Sequence, residues 1–234
     1  MLSNHSGLLE RHPKGGWWFQ PWMLPRVAAG LTDRHTDRGI LVCRSRRPPR
    51  LVEAEQVHGA SVAMVERSSD VPGPIAGCDA LVTSQPGIAL LIRTADCLPI
   101  FVADPARGVI ALAHAGWRGL SAHLPMRVVA ALQQAYHCRA EDLRVAIGPA
   151  IHSCCYEVGP EFGARFGPFV TERGGRRTCD LAGVVVDQLR RCGVRTDRMV
   201  DSGICTACDT DHWFSLRREG QATGRLTSII MLRP

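Results

Sequence analysis

Lysine is almost missing from this chain: Lys14 is the only one, so the other basic residues are arginines. With 28 basic and 22 acidic side chains the net charge is +6. An arginine excess gathered on one stripe would point to nucleic acid. Here it is scattered, and its densest run, RSRRPPR at 44–50, has no interleaved aromatics. That run reads as a solvated loop, and no nucleic-acid partner is expected. A basic balance does favour phosphate-bearing small molecules.

Other absences narrow the class further. No apolar run approaches the roughly 18 residues of a membrane span, so no membrane partner is expected. The opening MLSNHSGLLERHPKGGWWFQPW lacks the charged start, apolar stretch and small-residue cleavage site of a secretory leader, which predicts a cytoplasmic protein. Repeats, low-complexity tracts and linkers are also missing. At 234 residues with 45% hydrophobic side chains, the chain suits one domain with a self-sufficient core.

Cysteine is plentiful: Cys43, Cys78, Cys97, Cys138, Cys154, Cys155, Cys179, Cys192, Cys205 and Cys208. A disulfide framework belongs to short secreted chains, so these read as reduced, mostly buried small hydrophobes. CTAC (205–208) matches C-x-x-C, but no second spaced pair accompanies it, and packing is the expected role.

The first 50 residues read as irregular, and Trp17, Trp18 and Trp22 are candidates for a contact surface. From residue 51 the pattern tightens. LVEAEQV and SVAMVE alternate as two strands joined at His58-Gly59-Ala60, a hairpin-like connection. IALLIRT (88–94), LPIFVAD (98–104) and VIALAHA (109–115) are compact apolar runs bounded by Pro or Gly, hence buried strands. A helix is predicted from Pro125, with Val128, Val129, Leu132 and Tyr136 on its apolar side. A second runs over CDLAGVVVDQLRRCGV, capped by Asp180 and stopped by Gly193. RVAIGPA, RMVDSGI and TSIIML supply further strands, giving an α+β chain: an irregular segment over 1–26 and a single domain over 27–234.

Three side chains share one local setting. His58 precedes a glycine, Cys97 stands two residues before Pro99, and His114 precedes the turn-like AGWRG, each read at a strand end where side chains converge on a pocket. Two imidazoles and a thiolate suit zinc with a fourth position left open, the catalytic pattern. No local motif such as H-E-x-x-H ties the three together, so spacing alone favours buried structural histidines and cysteine over a metal site.

QVHG (56–59), DALVT (79–83), ADCLPI (95–100), AHAGWRG (113–119), IGPAIHSCCYEVG (147–159) and the C-terminal CTAC…WFSLRRE…TGR (205–225) occur in the order of one family. The chain resembles the YfiH-type laccase-domain family, whose members carry polyphenol oxidase and purine nucleoside phosphorylase names. The resemblance implies an α/β sandwich of mixed sheets flanked by helices, related to toxin deamidases and cysteine-hydrolase-like folds. It implies a metal on His58, Cys97 and His114, zinc rather than copper. It also implies phosphorolysis of adenosine, inosine, guanosine and methylthioadenosine, with adenosine deamination beside it. The segment before QVHG is shorter than the family's usual one, and Ala150 stands where cysteine is frequent.

On that reading Arg118, between the two glycines of GWRG, orients phosphate through its bidentate fork. Asp96 acts in proton transfer or orients a metal-bound histidine. Arg34, His152 and Arg217 are outer substrate contacts. Rival readings use Cys97 as a nucleophile activated by His114 in an amidase, put copper there for phenol oxidation, or leave a metal-binding module without catalysis.

Overall fold

The structure is a computed structural model that describes residues 9–11, 15–19, 26–37, 48–66 and 73–233. In chain order the strands are β1 (Leu9–Arg11), β2 (Trp17–Phe19), β3 (Val27–Leu31), β4 (Arg50–Glu53), β5 (Val62–Met64), β6 (Ala80–Thr83) and β7 (Ile88–Thr94). They continue with β8 (Leu98–Asp104), β9 (Val109–Ala115), β10 (Arg144–Ile147), β11 (Val170–Arg173), β12 (Arg176–Cys179), β13 (Met199–Asp201) and β14 (Leu226–Leu232). The helices are α1 (Trp117–Ser121), α2 (Leu124–Tyr136), α3 (Glu161–Phe166), α4 (Leu181–Arg191) and α5 (Leu216–Glu219).

Two mixed six-stranded sheets carry the fold, in the orders β1-β2-β3-β14-β7-β4 and β13-β10-β8-β9-β6-β5. They face each other across a core that includes Phe19, Leu31, Leu90, Ile92, Phe101, Ile110, Leu112 and Ile230. The second sheet's other face packs on α2 and α4 through residues such as Ile100, Val102, Ala111, Val128, Leu132, Val185 and Leu189. This double coverage explains the uninterrupted apolar runs. In β8, Ile100 and Val102 face the helices while Phe101 and Ala103 face the other sheet, as a period of two requires.

The helices follow their sequence signals. Pro125 lies in the first turn of α2, where a missing N–H costs no hydrogen bond. Asp180 caps α4 by accepting from Gly183 N at 2.9 Å, and Gly193 leaves the helix at φ +90°.

Several expectations are corrected. The segments around His58 are no hairpin: β4 pairs parallel with β7 in the first sheet, and β5 pairs parallel with β6 in the second. Their connection crosses between sheets, with Gln56 and His58 in the left-handed region at φ 65° and 60°. GWRGL is a short helix, α1, rather than a turn. The β11–β12 hairpin, closed by Gly174-Gly175 at positive φ, went unanticipated because its strands are polar and exposed.

Within residues 1–26, β1 and β2 extend the first sheet, and Trp18 and Phe19 are buried. Gly30 sits so close to β2 that a Cβ there would meet Trp17 O at 2.7 Å. Trp17 stacks at 5.6 Å on Trp213 inside the chain, while Trp22 lies outside the described residues.

Candidate metal centre

The site grows out of strand parity. In β9, Ile110 and Leu112 point into the core between the sheets, and His114 is the next residue of that parity, at the strand's end. Cys97 sits in the tight turn between β7 and β8, where Asp96 takes φ 85°. His58 arrives on the crossing from β4 to β5. The three donor atoms lie within 4.8 Å of one another, with His114 buried, Cys97 half-buried and His58 exposed.

The two imidazoles meet edge-on with centroids 4.8 Å apart. Tetrahedral zinc, with nitrogen at about 2.0–2.1 Å and sulfur at about 2.3 Å, separates its ligands by roughly 3.3–3.8 Å, so this donor set fits after a small contraction. Non-glycine residues at positive φ cost energy and concentrate at functional sites; His58 and Asp96 are two such residues flanking one pocket.

The side chain that organises the site is Asp79, which opens DALVT and which sequence reasoning left without a role. Its Oδ1 accepts from His114 Nδ1 at 2.9 Å and from His58 N at 2.9 Å, and its Oδ2 accepts from Gly59 N at 2.7 Å. The backbone N–H of His114 also donates to Asp79 O at 2.8 Å. One carboxylate therefore fixes the left-handed turn that presents His58 and the tautomer of His114, leaving Nε2 for a metal. Two glycines allow this closeness. A Cβ on Gly116 would lie 3.1 Å from Cys97 Sγ, and one on Gly119 would lie 2.8 Å from Gly59 O.

The electrostatics match. Burial opposes ionisation of Cys97, but hydrogen bonds to His114 and His58 outweigh it and bring the thiol down to about 7. Burial likewise disfavours charge on His114, yet Asp79 and then Cys97 hold its pKa up at about 9. Asp79 itself is held below the usual carboxylate range, its hydrogen bonds to His114 and the Gly59 N–H overcoming desolvation.

The other predicted residues spread outward from this centre. Asp96 is buried, and both its oxygens are engaged: Oδ1 accepts from Thr206 Oγ1 and Oδ2 from Arg217 N, each at 2.7 Å. The carboxylate bonded to a triad histidine is Asp79's. Arg118, four residues past His114, is exposed and stacks on Trp117 at 4.5 Å. The Arg217 guanidinium donates to Glu157 O at 2.8 Å and lies over Tyr156.

His152 lines a separate cavity of about 500 Å³ with Asp180, Asp187 and Asp201, and its Nε2 is buried without a hydrogen-bond partner. Arg34 pairs with Glu219 and lies over Phe214 at 4.9 Å, beside a third pocket that also includes Asp33 and Arg225. The fold thus brings His58, Cys97 and His114 together with Asp96 beside Cys97, ties the backbone of Arg217 to Asp96, leaves Arg118 exposed on Trp117, and sets His152 and Arg34 in pockets of their own.

The cysteine expectation also needs correcting. Adjacent Cys154-Cys155 and the CTAC pair, unrelated by spacing, meet in space, all four sulfurs lying within 4.8 Å.

Comparison with known proteins decides the family. Residues 36–233 match the model of a family described as multi-copper polyphenol oxidoreductase laccase. The chain belongs to this family. A purine nucleoside phosphorylase of Deinococcus radiodurans is 36% identical over 222 residues, spanning 89% of this chain and 83% of the relative. The purine nucleoside phosphorylase YlmD of Geobacillus stearothermophilus is 34% identical over 249 residues, spanning 96% and 89%. The crystal structure of that YlmD superposes with a TM-score of 0.86, at 30% identity over 97% of this chain and 99% of the other. The mixed α+β architecture with two large sheets is thus shared with that structure. Among the described residues no helix is long and apolar enough to cross a membrane.

Proposed function

We propose that the chain is a zinc-dependent purine nucleoside phosphorylase, with adenosine deamination as a companion activity on the same centre. The observation that carries this reading is the open three-donor set of His58, Cys97 and His114, oriented by Asp79 and facing the GWRG helix. Purine nucleoside phosphorylase names among relatives at 34–36% identity support the substrate class. Zinc suits a site with three protein donors and a free position, where His58, Cys97 and His114 would hold it and it would supply Lewis-acid polarisation and a bound water of pKa near 7.

In phosphorolysis an oxygen of phosphate attacks the anomeric carbon of the ribose. The carbon–nitrogen bond breaks, and the purine leaves with a proton. Arg118 is exposed, rests its guanidinium on Trp117, and is the proposed two-pronged contact for phosphate. Asp96 braces the turn that carries Cys97, since its oxygens hold Thr206 and the backbone of Arg217. Arg217 and, farther out, His152 and Arg34 are proposed contacts for the nucleoside. Incubation of zinc-loaded protein with adenosine, with and without phosphate, tests this: adenine and ribose 1-phosphate are expected only with phosphate. Intact adenosine in both samples would remove the proposal.

One observation favours a second reading. The donor atoms of Cys97 and His114 lie within 4.8 Å, and His114 is bonded to Asp79, the order of nucleophile, base and orienting carboxylate in cysteine hydrolases. Hydrolysis of an amide that survives chelation would select that reading, because a metal-held thiolate is a poor free nucleophile. Phenol oxidation on copper is the weaker reading: the centre offers a single His₂Cys set, and reduction of oxygen to water needs further coppers.

A further inference from the structure

Four cysteines from two distant turns converge about one point. His152–Cys155 is a tight turn, closed by Cys155 N and Tyr156 N both donating to His152 O at 2.9 Å. It throws two consecutive thiols to the same side. Cys205–Cys208 is a second turn, closed by Cys208 N donating to Cys205 O at 3.1 Å. A β-bridge between Ala150 and Cys205 holds the two side by side. Cys208 Sγ lies 3.5 Å from Cys154 Sγ and 3.4 Å from Cys155 Sγ, and all four sulfurs lie within 4.8 Å of each other.

The geometry points to a second metal site, a structural tetrathiolate zinc held by Cys154, Cys155, Cys205 and Cys208. The distances decide between the two fates open to clustered thiols. Sulfurs bonded as a disulfide are about 2.05 Å apart. Sulfurs on the corners of a zinc tetrahedron, with bonds of about 2.3 Å, are separated by about 3.8 Å. The two closest pairs, at 3.4 and 3.5 Å, and the 4.8 Å limit on all four sulfurs suit the second value and not the first, and a four-sulfur tetrahedral set favours zinc among closed-shell divalent ions.

The surroundings suit the charge. Four thiols bind one Zn²⁺ by releasing up to four protons, which leaves the centre at −2. Arginines already converge there: Arg176 donates to Cys154 O at 3.2 Å and Arg218 to Ala207 O at 2.9 Å. The N–H of His152 points at Cys205 Sγ from 3.5 Å, the backbone donation that orients thiolate ligands.

The site would brace the pocket described above. Thr206, inside the CTAC turn, donates to Asp96, the residue before Cys97. Ile151 N, just before the first cysteine turn, donates to Asp96 O at 2.9 Å. Both cysteine turns therefore grip the residue that sets Cys97.

The test counts metal. The full chain is prepared with zinc under reducing conditions, and zinc per chain is measured for the wild type, Cys97→Ala and Cys208→Ser. About two equivalents, one and one are expected, because a structural site binds independently of the triad. Wild-type protein with no more zinc than Cys208→Ser, iron in place of zinc, or a mass short of two hydrogens per cysteine pair would each overturn the assignment.

Should Cys208→Ser not fold, cobalt-loaded Cys97→Ala replaces it. It should show the charge-transfer intensity of four cobalt–thiolate bonds, and a spectrum without it would contradict the site. Because Cys97→Ala removes the triad alone, failure of this site and failure of the phosphorylase reading give different results.

Discussion

Asp79 Oδ1 stands 2.9 Å from both the Nδ1 of His114 and the backbone nitrogen of His58. One buried carboxylate thus serves two metal-ligand candidates that lie far apart in sequence. It does so by different means, gripping the side chain of one and the backbone of the other.

That relationship predicts the behaviour of Asp79→Ala. The imidazole of His114 loses its tautomer lock and the His58 turn loses two acceptor contacts. Loss of such a supporting carboxylate lowers metal affinity by about 10–100-fold. A chelator-competition titration of the triad should read that loss, while a variant such as Arg118→Ala should leave the affinity unchanged.

Cys97→Ala should abolish metal binding at the triad and phosphorolysis together, yet keep the fold. Its side chain sits in a turn between β7 and β8 outside both main cores. Circular dichroism should match the wild type, and full triad occupancy in this variant would contradict the ligand assignment.

Arg118→Ala separates substrate use from metal binding. The expected result is a phosphate KM raised about tenfold or more, the scale of a lost charge-assisted bidentate contact, with metal content unchanged. A phosphate dependence like that of the wild type would take Arg118 out of the mechanism.

Gly119→Ala probes the close approach of α1 to the His58 crossing. The new methyl would lie 2.8 Å from Gly59 O, a backbone atom, so the helix or the crossing must move. Overpacking of this kind costs about 1–3 kcal/mol, and a melting temperature roughly 2–10 °C lower should register it.

Asp33 supplies a pH test remote from the metal. Its side chain is fully covered, and although burial alone would raise its pKa, bonds from Thr36 Oγ1, Trp17 Nε1 and His35 N hold it below the usual carboxylate range. A depressed folded pKa stabilises at pH above the unfolded value and loses that stabilisation as pH falls through the folded one. Asp33→Asn should therefore melt well below the wild type at pH 7, and the gap should narrow under acid. A gap independent of pH would contradict it.

The amino-acid pattern revealed those parts whose burial is symmetrical. β7, β8 and β9 are covered on both faces and read directly as apolar runs, and Asp180 and Gly193 announce the ends of α4. His58, Cys97 and His114, whose donor atoms the structure brings within 4.8 Å, could be singled out because a Gly or Pro lies within two residues of each. The parallel pairing of β4 and β5 in different sheets was not legible, since a short segment with His-Gly at its bend looks like a hairpin until both partners are known. Asp79 was hidden for a related reason: it makes local sense only once β6 lies beside β9 and the His58 crossing. The four-cysteine cluster escaped because adjacent cysteines match no spacing rule, and the turn that aligns their sulfurs is set by tertiary contacts.

The most direct measurement of the central claim is phosphate-dependent release of adenine from adenosine as zinc is returned to chelator-stripped protein. The account predicts activity that rises in proportion to triad occupancy and that zinc fails to restore in Cys97→Ala. Undiminished release from stripped protein, or equal release from Cys97→Ala, would contradict it.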